Sequence, residues 1–334
     1  MNLAVVRNTT REGVIARFGK PCPERYGKRT VRRVVDALVD AGHSVAVLEG
    51  DKTLLAELER SGAGLVVNMA YGIQGESRYT HIPAMLELAG VPYTGAAPLG
   101  HSVALDKVIA KTLMQAAGVP TPAFAVLAAA GRPRGDLRFP VVVKPRHEST
   151  SYGLRLARDR AQLDAAVDAV VRGYEQEALV EEYVEGREVC VGLLGNDPPD
   201  VLPPVELSFA GRSLRVMTVD DKYHRRVDEP EKLCPAPLSP SLLETLADLA
   251  RATFAACHAR DYARVDIRID THGQPYVLEL NSMASLGGGG SFVRAAEVAG
   301  YGFAELVRRI VDVAHLRCFG VCAPLERTPA LAAT

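Results

Sequence analysis

Two short stretches in the last third of the chain carry oxygen-bearing side chains at strand spacing. In RVDIRID (264–270), alternation sets Arg264, Asp266, Arg268 and Asp270 on one face and Val265, Ile267 and Ile269 on the other. In VLELN (277–281), the same rule groups Val277, Glu279 and Asn281, with Leu278 and Leu280 opposite. A tight turn at THGQ makes these runs a hairpin with Asp266 across from Glu279 and Arg264 across from Asn281. Opposed carboxylates repel unless something neutralises them. Asp, Glu and Asn are hard donors, and so small a set suits Mg²⁺, which keeps waters and fills its octahedron with phosphate oxygens. The other reading is a solvated polar face paired with Arg264 and Arg268.

Phosphate chemistry has candidates elsewhere in the chain. Lysines are few, yet three fall in pointed contexts: Leu-Asp-Lys107, Val-Val-Val-Lys144-Pro and Asp-Asp-Lys222-Tyr. Lys144 ends an apolar run, and a buried ammonium needs an anion. The loop after it, His147 to Gly153, is rich in hydroxyls that suit phosphate, although such a loop also serves as an ordinary surface turn. Gly287 to Gly290 lead into SFVRAAEVAG, which reads either as a bare-backbone anion site at a helix start or as a hinge. No GxxxxGK[ST] occurs, and no GxGxxG follows the first strand, which disfavours a P-loop and a standard dinucleotide site.

The elements that must hold these groups come in two patterns. The first hundred residues alternate strand and helix: LAVV, then RTVRRVVDALVDAG with Val31, Val34, Val35, Leu38 and Val39 on one face, then HSVAVLEG, a helix near 52–61, and LVVNMA. That order predicts a parallel sheet covered by helices. TGAAPLG (94–100) reads as a linker and 103–118 as one amphipathic helix. An α+β lobe follows, from FPVVVKP through RAQLDAAVDAVVRG to two further strands. A last lobe holds a helix capped at Ser239 and opened by Pro240, the hairpin, and two more helices. The tail after about 323 reads as frayed.

Composition narrows the classes. The 334 residues suit two or three lobes, and the net charge of −1 gives no long-range attraction for nucleic acid or an anionic membrane. No run has the length of a membrane span or a signal-peptide core, so a cytoplasmic protein with no membrane partner is expected. Six cysteines lie scattered without a CxxC and read as reduced apolar packing; Cys318 and Cys322 could share a helix face.

Taken in order, ALDK (104–107), AAGVPTPAF (116–124), PVVVKP (140–145), LVEEYVEGREVCV (179–191), DKY (221–223), RVDIRID and VLELN resemble the ATP-grasp superfamily, and within it the D-alanine–D-alanine ligases. LELAGVPYTG (86–95) extends the likeness, which covers most of the chain from about 30 to 315. It implies an α/β and α+β protein: a Rossmann-like N-terminal domain (1–98) followed by a two-lobed ATP-grasp fold, with a central lobe (99–185) and a C-terminal lobe (186–334).

The activity it implies is an ADP-forming ligase that joins a carboxylate to an amine through an acyl phosphate. Small amino-acid-like molecules would be its substrates, and two copies would form a homodimer. The resemblance assigns Lys107, Lys144 and Lys222 to the ATP phosphates, Thr150 to a closing loop, Glu181 and Val184 to the adenine edge, and Glu188 to the ribose. Asp266, Glu279 and Asn281 match ligands of two Mg²⁺ ions, with Mn²⁺ as a substitute. Arg264, Ser291, Glu24 and Tyr223 match groups around the reacting substrates.

Three departures touch the amino-acid walls. Tyr71 stands where the family has a histidine, with Glu76 retained; NSMASLGGGGS lacks the family's proline after the metal asparagine; and the N-terminal loop is longer. The glycines are therefore expected to shape the amino-acid pocket. The resemblance implies a D-alanine–D-alanine ligase or a close dipeptide variant, with an amide ligase for other amino acids or a secondary-metabolite precursor as the alternative. A non-catalytic ATP-binding regulator is a third reading, disfavoured by the complete Asp266, Glu279, Asn281 and Arg264 set.

Overall fold

The computed structural model describes residues 1–8, 20–131, 136–209, 211–212, 215–216 and 230–321. Lys222, Tyr223, Cys322 and the tail lie outside the described residues.

The apolar run near the start forms β1 (Asn2–Arg7), flanked by β2 (Ser44–Glu49) and β3 (Leu65–Met69), both parallel to it. α1 (Lys28–Asp40) and α2 (Leu54–Ser61) connect these strands, as the alternating pattern requires. α1 buries Val31, Val34, Ala37 and Leu38; Val39, expected on that face, is 51% exposed because successive residues turn by about 100° and carry it past the stripe.

After α3 (His81–Leu88), the stretch read as a linker (94–100) and one helix (103–118) forms two helices, α4 (Pro98–Leu105) and α5 (Lys107–Ala116). Pro98 opens α4, and Asp106 breaks the expected single helix. Its backbone is extended, and its carboxylate accepts the N–H groups of Val108 and Ile109 as the cap of α5.

A second, antiparallel sheet has the order β4 (Phe124–Leu127), β7 (Ala178–Glu182), β5 (Val141–Pro145), β6 (Arg155–Ala157). α6 (Arg160–Tyr174), capped by Asp159, covers it with Leu163, Ala166, Val167 and Val170. The third sheet runs β11 (Glu231–Leu233), β10 (Val205–Ser208), β8 (Gly186–Leu194), β12 (Tyr262–Asp270), β13 (Pro275–Asn281), with β9 (Asp200–Val201) beside β8. α7 (Pro240–Ala256), α8 (Ser291–Val298) and α9 (Phe303–Phe319) complete the described chain. One apolar cluster joins Leu3, Val34 and Leu38 of the first layer to Phe292, Leu306 and Ile310 of the last two helices. The N-terminal sheet is thus fixed to the lobe that carries the hairpin.

Candidate active site

The hairpin pairs Asp266 with Glu279 and Arg264 with Asn281. Its register slips between Asp266 and Ile267, where Val277 becomes the partner of Ile267 and Leu278 is left without one. This bulge corrects the simple alternation read from VLELN. Val277 and Leu280 turn into the core, whereas Leu278 joins Glu279 and Asn281 on the wall of a cleft of about 640 Å³. Arg264 donates two hydrogen bonds of 2.7 Å to Asp266, and the Asn281 amide donates to the same carboxylate at 3.1 Å. Burial works against the Arg264 charge, but Asp266 beside it raises the guanidinium pKa on balance.

Across the cleft stand the lysines. Lys144, at the end of β5, reaches Glu181 Oε1 at 2.6 Å, and Lys111 of α5 reaches Glu181 Oε2 at 2.9 Å. All three are buried. Burial alone would push the Glu181 carboxyl up, yet Lys111 and Lys144 pull it down to about 2. For the lysines the same opposition divides: burial dominates at Lys111 and lowers its pKa, whereas at Lys144 the carboxylates of Glu181, Glu279 and Asp266 outweigh burial and raise it. Lys107 donates to the backbone carbonyl of Glu148, and burial lowers its ammonium to about 8 against the pull of Glu279.

Of the remaining predicted residues, Val184, Glu188, Ser291, Glu24 and Thr150 lie on the same cleft. Val184 lines it; Glu188 lines it and pairs with Arg268 at 3.1 Å; Ser291, the first residue of α8, faces it beside the four glycines. Glu24 accepts from the Tyr79 hydroxyl at 2.6 and 2.8 Å and from the Thr150 hydroxyl at 3.1 Å. Thr150 therefore reaches toward the N-terminal layer, with a left-handed backbone at φ 56°. Tyr71 stacks on Tyr26 and lies tilted against Tyr79 along one wall. Glu76 is not in this cleft. It lies largely exposed at a separate opening shared with Asp106, Arg146 and His147, its carboxylate 3.8 Å from His147.

Sequence reasoning missed Lys111, Arg268 and Arg78. Lys111 lies four residues after Lys107, hence one helical turn on along the same face, and that spacing was a usable signal. Arg268 shares the strand face of Asp266; it donates to Glu188, to the Arg215 carbonyl at 2.6 Å and to the Tyr183 hydroxyl at 3.3 Å. Arg78 offered no local signal, because its partners are remote in sequence. It stands in a 3₁₀ turn (Arg78–Thr80) that packs against Gly72, whose φ of 81° and a distance of 1.7 Å from an added Cβ to the Arg78 carbonyl admit only glycine.

Two carboxylates and one amide make a hard-oxygen set too small to enclose an ion alone, so the set fits Mg²⁺ completed by phosphate oxygens. Among the described residues no group of three or more His, Cys, Asp or Glu side chains forms a closed metal site. The geometry is therefore that of a cleft with cationic residues on one side and hard-oxygen ligands on the other.

Residues 113–312 match the family model for the D-ala D-ala ligase C-terminus. The chain is 50% identical over 332 residues to the uncharacterized protein y4sG of Sinorhizobium fredii, covering 96% of this chain and 98% of that protein. It is 33% identical over 290 residues to the D-alanine–D-alanine ligase of Syntrophotalea carbinolica, covering 86% of this chain and 91% of the relative. In fold it resembles the D-alanine–D-alanine ligase of Bacillus anthracis crystallised with ATP, at TM-score 0.74 and 20% identity over 95% of this chain and 97% of the other.

Proposed function

The chain belongs to the D-alanine–D-alanine ligase family, and on that premise we propose that it is an ADP-forming ligase joining a carboxylate to an amine. The observation that carries the proposal is the Asp266–Glu279–Asn281 hairpin facing Lys107 and Lys144 across one cleft. The lysines would hold the ATP phosphates, and Lys111, through Glu181, fixes where Lys144 stands. Glu181 and Val184 are read as the adenine edge and Glu188 as the ribose ligand. Asp266, Glu279 and Asn281 would hold Mg²⁺, which when bound neutralises charge on the phosphate oxygens.

The γ-phosphoryl group passes to the acid's carboxylate oxygen, giving an acyl phosphate and ADP. The amine then attacks the carbonyl carbon, phosphate leaves, and the nitrogen loses a proton as the amide forms. Arg264, a fixed donor on the floor of the cleft, would stabilise charge on the reacting carboxyl group. The loop with Thr150 would close over the site and exclude the water that destroys an acyl phosphate; Lys222, read as a third phosphate lysine, and Tyr223 lie outside the described residues. Ser291 and the glycine run would meet the second substrate.

We assign residues 1–98 to a Rossmann-like domain, 99–185 to a central ATP-grasp lobe and 186–334 to the C-terminal lobe. A cytoplasmic homodimer is part of the same reading. Among the described residues no helix is long and apolar enough to cross a membrane.

One observation favours a second reading of the substrates: Tyr71 and its stacked neighbours occupy the wall where the family has a histidine. Phosphate release from ATP and Mg²⁺ with D-alanine alone would support D-alanyl-D-alanine formation. Release only with other acid and amine pairs would support the alternative, and silence across a broad panel would overturn the ligase reading.

A further inference from the structure

The glycine run folds back on itself and leaves bare backbone on the cleft wall. The Gly290 N–H donates to the Gly287 carbonyl at 3.1 Å, and all four glycines line the cleft beside Ser291. A Cβ on Gly288 would stand 3.6 Å from Arg33 Nη1, so the missing side chain leaves that guanidinium open toward the run. Arg25 lines the same cleft from an exposed position. Its neighbour Tyr26 accepts the Leu286 N–H at 3.2 Å, which brings the Arg25 segment against the start of the glycines.

The ligase chemistry leaves these two arginines without a task. Charge on the phosphates falls to the lysines and the metal ligands, and Arg264 gives two donors to Asp266 on the cleft floor. Between residues 25 and 35 the chain carries Arg25, Lys28, Arg29, Arg32 and Arg33 and no acidic residue. Among the described residues Arg32 reaches Asp36 at 3.8 Å, Arg33 lies over the Phe303 ring at 3.8 Å, and neither Arg25 nor Arg33 has a carboxylate partner. Glu24, next to Arg25, is buried and pairs with Arg78 instead. With a net charge of −1 over the whole chain, this is a local excess of positive charge, and a cleft edge of one sign concentrates ligands of the other. We propose that the amine substrate carries a negative group beyond its own α-carboxylate, as a dicarboxylic amino acid does, and that Arg25 and Arg33 receive that group across the glycine run. The inference rests on the ligase reading and names the class of its second substrate. Both arginines are open to water, so each contributes a few-fold in affinity and the effect weakens as salt rises.

The test compares amines matched in shape and different in charge. The full-length protein with ATP and Mg²⁺ is given a panel of acids, each with aspartate against asparagine and glutamate against glutamine, in D and L forms. Phosphate release gives the rate, and the mass of the amide identifies which nitrogen was joined. The expected result is a kcat/KM about fivefold or more higher for the anionic amine than for its neutral partner, with the gap shrinking at high salt. Neutral amines that match or exceed the anionic ones would overturn the inference and leave the ligase reading standing. No phosphate release from any pair would overturn both. Arg25→Glu and Arg33→Gln should each raise KM for the anionic amine and narrow the gap, whereas Arg25→Lys, which keeps the charge, should preserve it. An unchanged gap in folded Arg25→Glu and Arg33→Gln variants would remove the two arginines from the role.

Discussion

Each ionisable group in the cleft is defined by its partner. Glu279 faces Asp266 across the hairpin, and two carboxylates at that spacing are useful only with a cation between them. Glu279→Gln should abolish ADP release and leave nucleotide binding weakened but measurable by calorimetry; unchanged turnover would remove Glu279 from the metal site. Lys107 makes a second prediction. Burial holds its ammonium near a pKa of about 8, so the charge is present below that value and lost as the pH rises through it. Affinity for a non-hydrolysable ATP analogue should fall by about fivefold between pH 7 and 9. Lys107→Arg should flatten the profile, since a guanidinium keeps its charge. Lys107, Lys144, Asp266, Glu279 and Asn281 were legible in the sequence because strand alternation and short motifs place them locally. Arg78 and the pairing of Glu24 were not, because Glu24 and Arg78 meet only through the fold.

Between elements, Glu181 is the link. It lies on β7 and binds Lys144 of β5 and Lys111 of α5, fastening the helix to the second sheet. Its folded-state pKa of about 2 lies below the ordinary 4.5, so the stability it contributes is fully present above pH 4.5 and drains as the pH falls toward 2. That contribution is on the order of 3 kcal/mol. Glu181→Gln should lower the unfolding temperature at pH 6, and the gap from the unsubstituted protein should narrow near pH 3; an equal gap at both values would contradict the linkage. The β12–β13 bulge belongs to this scale too. Alternation alone sent Val277 toward the cleft, whereas the extra residue sends Leu278 there and returns Val277 to the core. Asp106 has the same lesson: the apolar period runs through it, but its capping carboxylate divides one expected helix into two.

For the whole molecule, Asp261 joins the layers. Fully buried at a left-handed φ of 66°, it accepts the Gly95 N–H at 2.8 Å, the Asn196 amide at 3.1 Å and both arms of Arg317 at 2.8 Å. Arg317 also donates to the Tyr93 carbonyl, so the first layer, the end of β8 and α9 share one carboxylate. Asp261→Ala should cost about 2–3 kcal/mol, since it leaves the half-buried Arg317 guanidinium and the Gly95 N–H without their acceptor. Chemical denaturation would measure that loss, and a change under about 1 kcal/mol would show that the apolar cluster alone holds the layers. The sequence by itself determined the parallel first sheet, the Asp266–Glu279 and Arg264–Asn281 pairs of the hairpin and the residues proposed for the phosphate and metal chemistry, because periodicity and short motifs act over a few residues. Only the tertiary structure decided the bulge, the triad of Glu181 with two lysines and the closed pairing of Glu24 with Arg78. These depend on charges brought together out of water from distant segments, and no local pattern encodes that meeting.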